Sequence, residues 1–136
     1  MSPHILLVDD DRAALYALTE VLSDLPARIV LAESGEEALR QVLKQDFAVI
    51  LLDVRLPNMD GFEVAAAIRS LERLRRTPIV FMSANEDRRR RPREGGDERY
   101  YRKPLMPELV RSTVAGFLAR AAVGAPRQLL HDRLAT

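Results

Sequence analysis

Cysteine is absent from the 136 residues, which excludes a disulfide framework and any thiolate metal site. Histidine is nearly absent, and His4 and His131 stand so far apart that no imidazole cluster exists for zinc. Lysine is equally scarce: Lys44 and Lys103 are the whole complement, and arginine carries the rest of the positive charge. That bias makes each lysine worth a close look. No apolar run approaches the roughly 20 residues of a membrane span. The opening stretch, MSPHILLVDDD, lacks the basic start and long apolar segment of a secretory signal. A cytoplasmic location with no membrane partner is the expectation. There is no excess of one charge either. The formal net charge is +1, so no overall field points to nucleic acid or to a membrane surface. The length suits one domain with a core of its own.

What is present is an alternation of short apolar runs with helical periodicity. HILLV (His4 to Val8) precedes a stretch with Leu15, Leu18, Val21, Leu22 and Leu25 on one helical face, closed by Pro26. ARIVLA (Ala27 to Ala32) reads as a second strand, and Ser34 with Glu37 forms a capping box opening a helix to about Lys44. FAVILL (Phe47 to Leu52) is the third strand. Asp60 with Glu63 repeats the cap, and Val64, Ala67, Ile68 and Leu71 line the next helix. PIVFM (Pro78 to Met82) is a fourth strand and RYYRK (Arg99 to Lys103) a fifth. Pro107 to about Ala122 forms a last amphipathic helix with Leu109, Val110, Val114, Phe117 and Leu118 inward. The strands are apolar throughout rather than alternating, as strands buried on both faces are. The fold class is therefore α/β, a doubly wound parallel sheet with helices on both sides.

In such a sheet ligands bind beyond the carboxyl ends of the strands. This sequence places Asp9 and Asp10 after strand one, Asp53 after strand three, Ser83 after strand four and Lys103 after strand five. Taken singly, each is ordinary, because an aspartate at a strand end is usually a turn former or a helix cap. Their recurrence at successive strand ends is the signal. Three converging carboxylates repel one another and raise one another's pKa unless a counter-charge is supplied. A hard cation such as Mg²⁺ resolves this with one or two carboxylates, a carbonyl and waters. Lys103 adds a point charge, and the Ser83 hydroxyl can donate a hydrogen bond. A carboxylate nucleophile, Mg²⁺, an ammonium and a hydroxyl together make a phosphoryl-transfer site.

The motifs LLVDD with Asp9 and Asp10, LLDVRLPNMDG with Asp53, FMSA with Ser83, and YYRKP with Tyr100 and Lys103 resemble the receiver domain of bacterial response regulators. The likeness extends to the single-domain chemotaxis regulators and covers roughly Pro3 to Ala122. It implies a flavodoxin-like, five-stranded parallel sheet of order 2-1-3-4-5. It implies that Asp53 accepts a phosphoryl group from the phosphohistidine of a histidine kinase. Asp10 and Asp53 would ligate Mg²⁺ directly, Asp9 through water, and the Arg55 backbone carbonyl would be a further ligand. Lys103 and Ser83 would stabilise the phosphoryl group, and Ser83 would turn toward it with Tyr100 following inward as a two-state switch. The chain would be a signalling domain rather than a turnover enzyme, with no organic cofactor. Arg55, two residues beyond Asp53, could hold a phosphoryl oxygen or obstruct water, so slow autodephosphorylation is expected.

Two stretches depart from the family pattern. Residues Asn85 to Arg99, NEDRRRRPREGGDER, contain no aliphatic or aromatic side chain and are broken by Pro92, Gly95 and Gly96. A helix there could not cover a sheet, so the helix between strands four and five is expected to be degenerate or missing. The run Arg88 to Arg91 with Arg93 could bind phosphate, nucleic acid or an acidic partner. Glu86, Asp87, Glu94, Asp97 and Glu98 nearly cancel its charge, and a solvated loop is the stronger reading. The other departure is the end of the chain. Residues 1–122 form the receiver domain, and 123–136 form a tail or the start of a linker helix, after a Gly124-Ala125-Pro126 break. Leu129, Leu130 and Leu134 give the tail an apolar face suited to a homodimer contact, and RLAT resembles the approach to a histidine kinase dimerisation helix. Alternative readings are an N-terminal receiver fragment of a larger histidine kinase and a phosphorylation-independent interaction module. A phosphohydrolase is a further rival, but it would want a carboxylate where Arg55 stands.

Overall fold

The computed structural model describes residues 2–84 and 99–135, with side chains as far as Ala122. Five parallel strands, β1 (His4–Val8), β2 (Arg28–Ala32), β3 (Val49–Asp53), β4 (Ile79–Ser83) and β5 (Arg99–Arg102), form one sheet of order β2-β1-β3-β4-β5. Helices α1 (Arg12–Leu22), α2 (Gly35–Lys44), α3 (Gly61–Arg69) and α4 (Pro107–Ala135) connect or follow them, with a short 3₁₀ turn at Glu72–Leu74. The α/β sheet and its order agree with expectation. The degenerate or missing helix between β4 and β5, with its arginine run, falls on residues outside those described.

The two-residue repeat of a strand divides the core into two layers. Leu6 and Val8, Ile50 and Leu52, and Ile79 and Phe81 face one way and pack with Val42, Val64 and Ile68 of α2 and α3. Ile5 and Leu7, Val49 and Leu51, and Val80 and Met82 face the other way, against Leu15, Leu18 and Leu22 of α1 and Val110, Val114 and Phe117 of α4. The three central strands are therefore buried on both faces, as their unbroken apolar runs require. The edge strands are not: β2 and β5 carry exposed or half-buried residues at most positions. An outer strand lacks a neighbour on one side, and helices cover it incompletely.

Helix starts follow the capping chemistry, with one change. The Asp60 carboxylate accepts from Glu63 N while the Glu63 carboxylate accepts from Asp60 N, a complete capping box. Ser34 Oγ accepts from Glu37 N, but the Glu37 carboxylate takes the N–H of Glu33, one residue earlier than a box requires. Two helical expectations need correction. Leu109 is exposed, because the first turn of α4 projects past the layer that Val110 and Val114 enter. Leu71 lies beyond α3 and is also exposed. Further on, α4 runs through the expected Gly124-Ala125-Pro126 break to Ala135. A proline there forfeits one backbone hydrogen bond, but the Ala, Arg, Gln and Leu residues around it are strong helix formers.

Candidate functional site

Strand alternation decides which charges meet. Counting on from Leu51, the next residue on the α1/α4 side of β3 is Asp53. Counting on from Leu7 gives Asp9, and from Tyr101 gives Lys103, on that same side. These three converge. The Lys103 ammonium donates to Asp9 Oδ2 at 2.7 Å and to Asp53 Oδ2 at 3.2 Å. The other oxygens are held by the turns that follow each strand. Asp9 Oδ1 accepts from Asp11 N at 3.0 Å, and Asp53 Oδ1 accepts from Arg55 N at 3.2 Å. Asp9 is fully buried and Asp53 nearly so, whereas Asp10 is exposed. One carboxylate oxygen from each of Asp9, Asp10 and Asp53 lies within 4.8 Å of the others.

Ser83 ends β4, one residue beyond Met82, which pairs with Asp53. It is buried, and alternation sets it on the α2/α3 side. Tyr100 pairs with Phe81 and packs, half-buried, against that same layer. The serine and tyrosine thus share one layer while the carboxylates and ammonium share the other. Arg55 is exposed, and its backbone N–H is already engaged with Asp53.

The electrostatics follow from burial. Asp53 is pushed up to about 6, chiefly by desolvation and then by the neighbouring Asp9 charge, with Lys103 pulling the other way. Burial opposes the charge on Lys103, but its hydrogen bonds and proximity to Asp9 and Asp53 outweigh that and leave its pKa raised. One ammonium therefore does not balance the cluster. Carboxylate oxygens this close together form a hard donor set, which suits Mg²⁺ in preference to softer metals.

Three further features had no equal in the sequence reading. Gly61, the first residue of α3, lies against the end of β3: a Cβ there would sit 2.3 Å from the Asp53 carbonyl oxygen and 2.9 Å from Val54 Cα. Only glycine permits that approach, and the Gly61 N–H donates to Val54 O at 2.7 Å. The signal was the glycine of LPNMDG directly after a capping aspartate. The Lys103–Pro104 peptide is cis. Finally, Asp9 and Lys103 floor a recess of about 200 Å³ walled by apolar residues, among them Ala14, Ala17 and Val21 of α1 and Leu105 ahead of α4.

A parallel sheet with buried carboxylates and a lysine at the carboxyl ends of its strands defines a class of signalling domain. The chain belongs to the response regulator receiver domain family, whose profile matches residues 5–115. It is 34% identical over 109 residues to the sensor protein GacS of Pseudomonas syringae pv. syringae, covering 76% of this chain and 12% of that protein. It is also 34% identical over 122 residues to the transcriptional regulatory protein SrrA of Staphylococcus aureus, covering 88% of this chain and 49% of that one. The chain therefore spans half or less of the length of these curated relatives. Among solved structures, the receiver domain of the sensor histidine kinase PA1611 of Pseudomonas aeruginosa PAO1 is 30% identical. It superposes with a TM-score of 0.77 over 88% of this chain and 99% of that one, and it carries a magnesium ion in its active-site cleft. Among the described residues, no helix is long and apolar enough to cross a membrane.

Proposed function

We propose that the chain is a phosphoacceptor switch in which Asp53 takes a phosphoryl group from the phosphohistidine of a histidine kinase. The observation that carries this is the Lys103 ammonium, which ties Asp9 and Asp53 together at the mouth of the sheet. A carboxylate oxygen of Asp53 attacks phosphorus. The P–N bond breaks, and its electron pair stays on the imidazole nitrogen. Lys103, already within hydrogen-bond distance of that carboxylate, stands ready to hold an oxygen of the transferred group. Asp10 and Asp53 would hold Mg²⁺ directly and Asp9 through water, with the Arg55 carbonyl as a further ligand. Bound magnesium would supply the positive charge that one lysine does not and would neutralise the phosphoryl oxygens. The apolar recess lined in part by Asp9 and Lys103 gives the donor protein a surface adjoining the cluster.

In this reading Ser83 senses the phosphoryl group from the opposite layer, and Tyr100 transmits its movement along β5. The domain modifies itself and is reset by hydrolysis, so it is a switch rather than a turnover enzyme, and it works in the cytoplasm. The same chemistry holds where such a domain forms part of a larger kinase, a second reading favoured by the likeness to the sensor protein GacS and to the PA1611 receiver domain. The test is incubation with acetyl phosphate and Mg²⁺, followed by intact-mass analysis. The chain should gain one phosphoryl group, and both EDTA and Asp53→Asn should abolish the gain. A gain that survives Asp53→Asn would place the chemistry elsewhere.

A further inference from the structure

Away from the carboxylate cluster, β5 and α4 enclose a second pocket of about 300 Å³. Among the described residues its lining holds two arginines, three hydroxyl side chains and no carboxylate. The guanidinium carbons of Arg99 and Arg120 stand 5.9 and 5.4 Å from the centroid of one ring, that of Phe117. The ring attracts each cation, and an anion that both could reach would add a charge-assisted contact to each. Ser112, Gly116 and Arg120 recur at four-residue intervals and so share a face of α4. The Thr113 hydroxyl is engaged with Tyr101 Oη at 2.7 Å, which fixes the pocket's inner wall.

Gly116 stands in the middle of this face of α4. Glycine inside a helix costs about 1 kcal/mol relative to alanine. A Cβ at this position would meet no described atom within 4 Å, so packing among the described residues gives no reason for it. What the missing side chain does is leave the pocket open along this part of α4.

We propose that this pocket binds an oxyanion, a carboxylate or phosphate group gripped by Arg99 and Arg120 with the Ser112 hydroxyl as a third donor. The planar fork of a guanidinium matches two such oxygens. Arg120 keeps another interaction within the chain, and its five N–H donors leave capacity for a second. The shared chemistry has two sources: a free small oxyanion, or an acidic segment of a partner protein.

The test is an amide NMR titration of the full chain in EDTA, without phosphodonor, at constant ionic strength. Asp53 chemistry is then silent, so failure here leaves the phosphoacceptor reading standing. Inorganic phosphate and a blocked tetraglutamate peptide are the probes. Saturable shifts at Arg99, Ser112, Gly116 and Arg120 are expected with at least one of them. Saturation by phosphate alone identifies a small-anion site, and saturation by the peptide alone an acidic segment. Arg99→Gln and Arg120→Gln should each weaken binding at least about tenfold, the loss of one charge-assisted hydrogen bond. Gly116→Asp sets a carboxylate into the pocket from α4 itself and should exclude both probes to a similar degree in a folded chain. Linear shifts with both probes, or unweakened binding in Gly116→Asp, would overturn the proposal.

Discussion

Asp53 is the residue on which burial and chemistry compete. Its ordinary value of 3.8 is raised to about 6 by desolvation and by Asp9. Between those two values the folded chain keeps a proton that the unfolded chain has released. Stability contributed by this group is therefore full below 3.8, falls as pH rises to about 6 and stays low above it. A shift of that size corresponds to about 3 kcal/mol. Urea unfolding in EDTA should find Asp53→Asn more stable than the wild type at neutral pH, by up to about that amount, with the gap closing in acid. Magnesium should shrink the gap, because a bound cation relieves the wild type alone. Arg55 gives a second prediction at this scale. Its exposed guanidinium stands two residues past the acceptor, so the phosphorylated chain should release phosphate slowly and Arg55→Ala should release it faster. A wild-type half-life of seconds in a phosphate-release assay would argue against a protective arginine.

Among the elements, the junction of β3 with α3 is the tightest. Gly61→Ala drives a methyl group into the Asp53 carbonyl and Val54 Cα, both backbone atoms unable to swing aside. The variant should lose about 2–3 kcal/mol, read as a lowered urea midpoint, and should take up phosphoryl groups more slowly than its remaining folded fraction explains. Much of this level was legible in the sequence. Apolar runs ending on Asp9 and Asp53 marked the strand ends, and the scarcity of lysine made Lys103 stand out. Contacts between elements were less legible. The tilt of Phe62 on Phe81, ring centroids 5.0 Å apart, and the meeting of Arg99 and Arg120 at Phe117 depend on how helices settle on the sheet. Asp9 and Asp10 look alike in the chain, yet one is fully buried and the other exposed, even though both contribute an oxygen to the same cluster.

Over the whole molecule, protection should follow the sheet's order. β1, β3 and β4 are covered on both faces and flanked on both edges, while β2 and β5 lie outermost. Native-state hydrogen exchange should find the slowest amides in the three inner strands and markedly faster ones in β5. Equal protection across all five strands would mean that the edges are stabilised by something beyond their own sheet contacts. The bidentate pairing of Arg111 with Asp24, at 2.7 and 3.2 Å, ties α4 to the turn after α1 on the face that holds the acidic cluster. The two-layer core also constrains how this chain can evolve. Because Asp53 is assigned to its layer by odd or even position along β3, inserting or deleting one residue within that strand would rotate the acceptor to the wrong side while leaving composition almost untouched. Parity, as much as chemical identity, is heritable information here, and length variation among descendants of this sequence should be confined to the connections between strands and helices.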